Sequence, residues 1–176
     1  EAAARQHRDL LGEIGRILNA PSQQLPDQVR SLVERTRELE KALAGARRQA
    51  AGDSATDLVA AATEVEGFRV ISQRVVVDDV SSLRDLADGI RDGIGSGVGV
   101  LGAEVAGKVS FIAVVTDDLI SGRGLKAGDL VKDVAQIAGG SGGGKPHMAQ
   151  AGARDPDKID AAIAAVHEIV RTRLAG

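Results

Sequence analysis

The sequence predicts a mixed α/β (α+β) fold: a small mixed sheet packed with helices, preceded by an antiparallel helical hairpin. Three observations carry this. An apolar heptad seam runs from Leu25 to Ala46. Runs rich in β-branched residues at 68–77, 98–104 and 108–116 alternate with amphipathic segments at helical spacing. Gly52-Asp53-Ser54 separates the two regions, giving a coiled-coil arm over 1–52 and a globular domain over 53–176.

Taken in order, residues 2–19 read as a helix with Leu10, Leu11, Ile14, Ile17 and Leu18 at helical spacing, broken at Ala20-Pro21-Ser22. A second helix opens near Pro26, whose fixed φ suits a first turn. Its seam of Leu25, Val29, Leu32, Thr36, Leu39, Leu43 and Ala46 alternates steps of four and three. The short break lets the first helix fold back on this seam. A seam longer than its partner would pair with a second chain, and Val29, Leu32, Leu39 and Leu43 are the expected packing or oligomerisation residues.

After Gly52, residues 57–64 are ambiguous and Phe68–Val77 reads as a strand. Ser81-Ser82 is the expected cap of a helix reaching about Ile94. The next two strands are joined at Ala106-Gly107 as a hairpin. A helix follows over 127–138, and Asp155-Pro156 opens a last helix to about Leu174.

Composition excludes several function classes. There is no cysteine, so no disulfide, zinc-thiolate site or thiol nucleophile. Trp and Tyr are absent and Phe occurs twice, which nearly removes aromatic platforms for single-stranded bases. No apolar run is long enough to span a membrane. The net charge of −3 is unevenly spread: 12 Asp/Glu face 5 Lys/Arg within 53–119, whereas Lys/Arg outnumber acids on either side. An RNA-facing surface therefore belongs on the hairpin or the final third. The start at Glu1, with neither methionine nor a signal-like segment, suggests an excised fragment.

No catalytic or metal constellation assembles. His7, His147 and His167 stand alone, with His167 expected on the terminal helix as a surface or boundary residue. Asp78-Asp79 and Asp117-Asp118 lack further oxygen ligands nearby in sequence, and read as solvated turns rather than Mg2+ sites. Ser121-Gly122-Arg123-Gly124-Leu125-Lys126 is either a phosphate-contacting loop or a turn with two exposed cations.

The most informative segment runs from Gly139 to Gly152: Gly-Gly-Ser-Gly-Gly-Gly-Lys-Pro-His-Met-Ala-Gln-Ala-Gly. A glycine run costs conformational entropy and persists where side chains must be absent, as where backbone N–H groups approach an anion. Pro146, Met148 and Gln150, which a flexible linker does not need, favour a site. Lys145 is followed by proline, so this is not a Walker A loop, and no strand precedes it as a Rossmann fingerprint would need.

This segment resembles the glycine-rich signature near the carboxyl end of bacterial alanyl-tRNA synthetases, the C-Ala domain of the DHH-associated family. Gly128-Asp129-Leu130-Val131-Lys132, Asp155-Pro156-Asp157-Lys158, Leu25-Pro26 and Glu1-Ala2-Ala3 extend the resemblance along essentially the whole chain. It implies a cytoplasmic, non-catalytic, tRNA-binding region that contacts the outer corner of tRNA(Ala) and helps couple aminoacylation with editing. ATP, Mg2+ and Zn2+ would belong to the catalytic and editing domains of the parent ligase, and no cofactor to this part. The implied contacts are Gly142, Gly143, Gly144, Lys145, His147, Gln150, Arg123, Lys126 and Arg154. Two other readings stay open: an oligomerisation module forming a homodimer, and the nucleic-acid-binding domain of a DHH-type phosphoesterase, where such a loop binds phosphate.

Overall fold

The computed structural model describes residues 2–175 and divides into two compact units, Glu1–Ala46 and Arg47–Gly176. In the first, α1 (Ala2–Ile17) ends where Asn19 adopts a φ of 48°, and a 3-10 turn at Ser22–Gln24 leads into α2 (Leu25–Ala60). Ala20 N–H donates to Gly15 O, and a Cβ at Gly15 would lie 2.8 Å from Ala20 O. Glycine therefore admits the chain where it turns away from the helix.

The seam is not covered as the sequence pattern suggests. Leu32 is 47% and Leu39 63% exposed, while Leu10, Ile14 and Ile17 of α1 are exposed too. Beyond buried Leu25, each apolar stripe is largely exposed and fills no core among the described residues.

Helix α2 also runs straight through Gly52, which does not end the helix. Glycine in a helix interior costs about 1 kcal/mol relative to alanine. Tertiary packing overrides that cost: Ala55 is 2% exposed, and a Cβ at Gly89 would lie 2.9 Å from its Cβ. The ambiguous stretch at 57–64 thus completes a helix and begins a short strand.

The second unit is built on six strands: β1 (Thr63–Val65), β2 (Phe68–Arg74), β3 (Gly97–Val105), β4 (Lys108–Val115), β5 (Ser141–Gly144) and β6 (Met148–Ala153). They lie in the order β1-β2-β3-β4-β6-β5, with β2 and β3 parallel and every other neighbouring pair antiparallel. A parallel pair needs a crossover, and α3 (Val80–Gly93) supplies it. At Ala106-Gly107 both φ angles are positive, 49° and 74°, the backbone that a two-residue hairpin with right-handed strand twist requires.

Alternation along the strands builds a core on each face. On one side Leu83, Leu86 and Ile90 of α3 and Ala55 of α2 pack with Ile71, Leu101, Ile112 and Val114. On the other, Val70, Val100 and Phe111 meet Leu130 and Val134 of α5 (Ala127–Ile137), Ile159 of α6 (Ile159–Ala164), and Val166 and Val170 of α7 (Val166–Ala175). Arg173 clamps Asp133 through two hydrogen bonds of 2.8 and 2.9 Å, fixing α7 on α5.

Several local readings change. The glycine run is not a loop: Ser141–Gly144 is an edge strand paired with β6. Glycine is depleted in strands, so pattern alone reads a loop here; tertiary pairing overrides propensity. Asp79, rather than Ser81 or Ser82, caps α3, accepting from Ser82 N–H at 2.8 Å. That bond, then the Ser82 hydroxyl and the Arg47 guanidinium, hold its carboxyl below the usual range. Asp117-Asp118 opens α4 (Asp117–Arg123), whose last turn includes Ser121 and Arg123 and which ends at left-handed Gly124. The Ser96 hydroxyl, then that of Thr116, keep the Asp118 carboxyl low. Asp155 does cap the terminal segment, which is divided into a 3-10 turn, α6 and α7.

Candidate nucleic-acid interface

The hairpin β5–β6 and its turn form the candidate site. Two kinds of glycine occupy it. A Cβ at Gly142 would run into the Ala151 backbone and the Gln150 carbonyl, and one at Gly140 into Gly152 O. These glycines are required by the fold, because at these two positions the chain passes too close to β6 for a side chain. Gly143 is different: a Cβ there would meet nothing within 4 Å, and its φ is not positive. No clash within the described residues therefore demands glycine there.

Helix α5 is docked against the turn. Ala127 N–H donates to Pro146 O at 2.7 Å, and a Cβ at Gly128 would lie 3.2 Å from Gly144 O. This brings Lys126, the residue before α5, next to the turn that carries Lys145. Both lysines are exposed, as is Pro146, while His147 is half-buried. The His147 carbonyl accepts from Val115 N–H, continuing the β4 ladder into the turn. Among the described residues none of Arg123, Lys126, Lys145 or Arg154 forms an ion pair. Their charges are available to an anion.

The expected contacts do not form one cluster. Gly144, Lys145, His147 and Lys126 gather at the turn. Arg123 ends α4, three residues before Lys126, with no hydrogen bond to the hairpin among the described residues. Gln150 lies on the α3 side of the sheet, in one cross-strand row with Ile112 and Gly143, and accepts from Arg84 Nε at 3.1 Å. Arg154 follows β6 at the opposite end of the hairpin, five residue steps or roughly 17 Å along the strand from Met148 to Ala153. Sequence reasoning did not single out Arg84. It is one exposed cation on a helix, and only the sheet register brings it to Gln150.

No group of three or more His, Cys, Asp or Glu positioned for a metal occurs among the described residues. His167 stands on α7 half-buried, as a residue between surface and core, with its Nε2 enclosed and without a hydrogen-bond partner among the described residues. No described helix is long and apolar enough to cross a membrane.

Comparison with known proteins places this geometry in a family. The DHHA1 domain model matches residues 67–172. The chain is 38% identical over 170 residues to an alanine–tRNA ligase of Dehalococcoides mccartyi, covering 97% of this chain and 19% of that protein. It is 36% identical over 178 residues to the Acetivibrio thermocellus alanine–tRNA ligase, covering 99% of this chain and 20% of that protein. Against the Anaeromyxobacter dehalogenans alanine–tRNA ligase it is 48% identical over 141 residues, covering 80% of this chain and 15% of that protein. The chain thus spans about a fifth or less of the length of these relatives. The crystal structure of the C-Ala domain from Aquifex aeolicus alanyl-tRNA synthetase shares the fold, with a TM-score of 0.56 at 24% identity, covering 65% of this chain and 98% of that one. With its six-stranded sheet, glycine hairpin and docked α5, the chain belongs to the DHHA1 domain family.

Proposed function

We propose that this chain is the tRNA-binding C-Ala region of an alanine–tRNA ligase, holding the outer corner of tRNA(Ala) and helping couple aminoacylation with editing by the ligase's other domains. The observation that carries it is the β5–β6 hairpin, where the open backbone of Gly143 leads into a turn that carries Lys145, with Lys126 at the start of the docked α5; neither lysine forms an ion pair among the described residues. Structured RNA is read largely through shape, phosphate and 2′-hydroxyl contacts. Exposed glycine backbone and a few cations supply such contacts without aromatic rings. The similarity to alanine–tRNA ligases supports this RNA as the ligand. ATP, Mg2+ and Zn2+ have no part in this reading of the chain.

Filter binding of tRNA(Ala) and an unrelated tRNA at two salt concentrations tests it. Lys145→Ala is expected to weaken tRNA(Ala) binding roughly threefold to tenfold and lower the salt slope by about 1. His147→Ala loses a hydrogen bond and leaves the slope nearly unchanged. The melting temperature of Lys145→Ala is expected to stay at the parent value, because Lys145 is exposed, and that of His147→Ala is recorded beside it to confirm folding. If both variants bind like the parent, the hairpin turn is not the RNA surface.

A second reading rests on the open seam. We propose that Val29, Leu32, Leu39 and Leu43, each 46–63% exposed, meet the same seam of a second chain to form a homodimer. Sedimentation of Leu32→Glu beside the parent checks this. The expected result is a lower mass for the variant with unchanged helix content, since an exposed position contributes little to a lone chain, within about 0.5 kcal/mol. A parent that is monomeric at all concentrations ends this reading.

A further inference from the structure

The end of the glycine hairpin away from Lys145 carries a second polar cleft. Its walls are Gly107 and Lys108 at the start of β4, Gly139 and Gly140 ahead of β5, and Ala153 and Arg154 at the end of β6. Its floor follows from register. Ser110 of β4 lies opposite Gly152 of β6, and Gly152 lies opposite Ser141 of β5. Three neighbouring strands therefore place serine, glycine and serine in one row, with the two serines separated by two strand spacings, roughly 10 Å. The glycine between them keeps the row flat. A Cβ at Gly152 would touch only Val109 O, at 3.9 Å, so no internal clash demands glycine there.

The charge of the cleft is uniform. Lys108 and Arg154 are exposed and form no ion pair among the described residues, and no carboxylate lines the cleft. Neighbouring Asp155 is occupied elsewhere: it accepts from Asp157 N–H and pairs with Lys158 at 3.5 Å. This stands out in a chain with net charge −3, whose middle region is acidic. Two cations above two hydroxyls and a bare glycine floor match a phosphodiester oxygen group, with the hydroxyls as donors and the cations as counter-charges.

We infer that the Lys108–Ser110–Ser141–Gly152–Arg154 cleft is a second backbone-phosphate seat for RNA, so that the hairpin grips the ligand at both ends. This rests on the RNA-binding reading above. The turn at Lys145 and this cleft lie roughly 17 Å apart along β6, which makes the whole hairpin, rather than its turn alone, the contact length. No base is read there, so the seat adds affinity and register and no sequence preference.

The full chain is titrated with tRNA(Ala) at two salt concentrations, beside Lys108→Ala/Arg154→Ala, Gly152→Leu, Lys145→Ala and Arg171→Ala, with melting curves to confirm folding. Arg171 is an exposed cation on α7, outside the cleft, and controls for general charge. The double variant is expected to bind roughly tenfold or more weakly, with the salt slope reduced by about 2. Gly152→Leu fills the seat without altering charge and should weaken binding by a comparable factor, while Arg171→Ala should change it less than twofold. A parallel titration with AMP should show no saturable binding, because one mononucleotide engages one end of the hairpin alone. If Lys145→Ala weakens tRNA binding but the double variant and Gly152→Leu do not, the cleft is no RNA seat and only this inference falls. A weakened double variant beside an unaffected Gly152→Leu also overturns the seat, since the cations then act at a distance. Saturable AMP binding lost in Gly152→Leu would make the cleft a nucleotide pocket instead. If the parent itself binds no tRNA, the RNA-binding reading falls first.

Discussion

Phe111→Ala is expected to lower stability by about 3–5 kcal/mol, a large share of the 5–15 kcal/mol typical of a domain. Phe111 is one of two aromatic residues in the chain and is fully buried at the sheet centre. Its cross-strand partner is Gly102, where a Cβ would lie 2.9 Å from the ring and 3.1 Å from Ile159 Cγ2. The ring thus occupies space that its partner leaves empty. Truncation opens a cavity bounded by β3, β4 and α6, which rigid neighbours fill only partly. Thermal unfolding should shift downward by roughly 10–20 °C. The pairing itself is checked by adding Gly102→Ala. It should destabilise the parent yet cost much less, or help, once the ring is gone. Equal cost in both backgrounds would sink the idea that ring and glycine are fitted to one another.

The second large effect separates two adjacent glycines. Gly142→Val forces a side chain into the Ala151 backbone, so β5 must leave β6. The expected loss is about 1–3 kcal/mol, as for other overpacked sites, with amide protection disappearing along 141–144 and 149–152. Gly143→Val meets open space and favours extended backbone, so it should melt like the parent. Its branched side chain nevertheless covers the backbone proposed to meet RNA. We expect tRNA(Ala) binding to fall tenfold or more, about 1.4 kcal/mol. A Gly143→Val variant that unfolds, or that binds tRNA normally, would remove Gly143 from the proposed contact surface.

Much of the architecture is written in local pattern. Leu83, Leu86 and Ile90 announce α3 by their spacing, Leu130 and Val134 announce α5, and Ala106-Gly107 between two β-branched runs announces the central hairpin. The departures share one physical cause: a neighbour far along the chain. Gly52 stays helical because Ala55 is buried. Gly142 is in a strand because β6 lies beside it, and Asp79 supersedes two adjacent serines as cap while Arg47 also binds it. In the candidate interface, Lys145 and His147 are legible as a motif beside glycine. Arg84, Lys108, Ser110 and Ser141 are not, because what unites them is strand register.

The tight β3–β4 hairpin has a consequence for how the molecule forms. Its strands are joined by two residues yet occupy the middle of the six-stranded sheet, with β2 and β6 added on either side. This central pairing closes over a two-residue loop, as β1–β2 does at Glu66-Gly67, and its ladder is the longer of the two, so the entropic cost of starting the sheet falls on a short loop. The remaining strands then join an existing template. Early structure in the transition state is therefore expected in this hairpin, with high φ-values for substitutions along β3 and β4. The surface proposed to meet RNA thereby lies on an edge of the sheet, outside the pairing expected to form first.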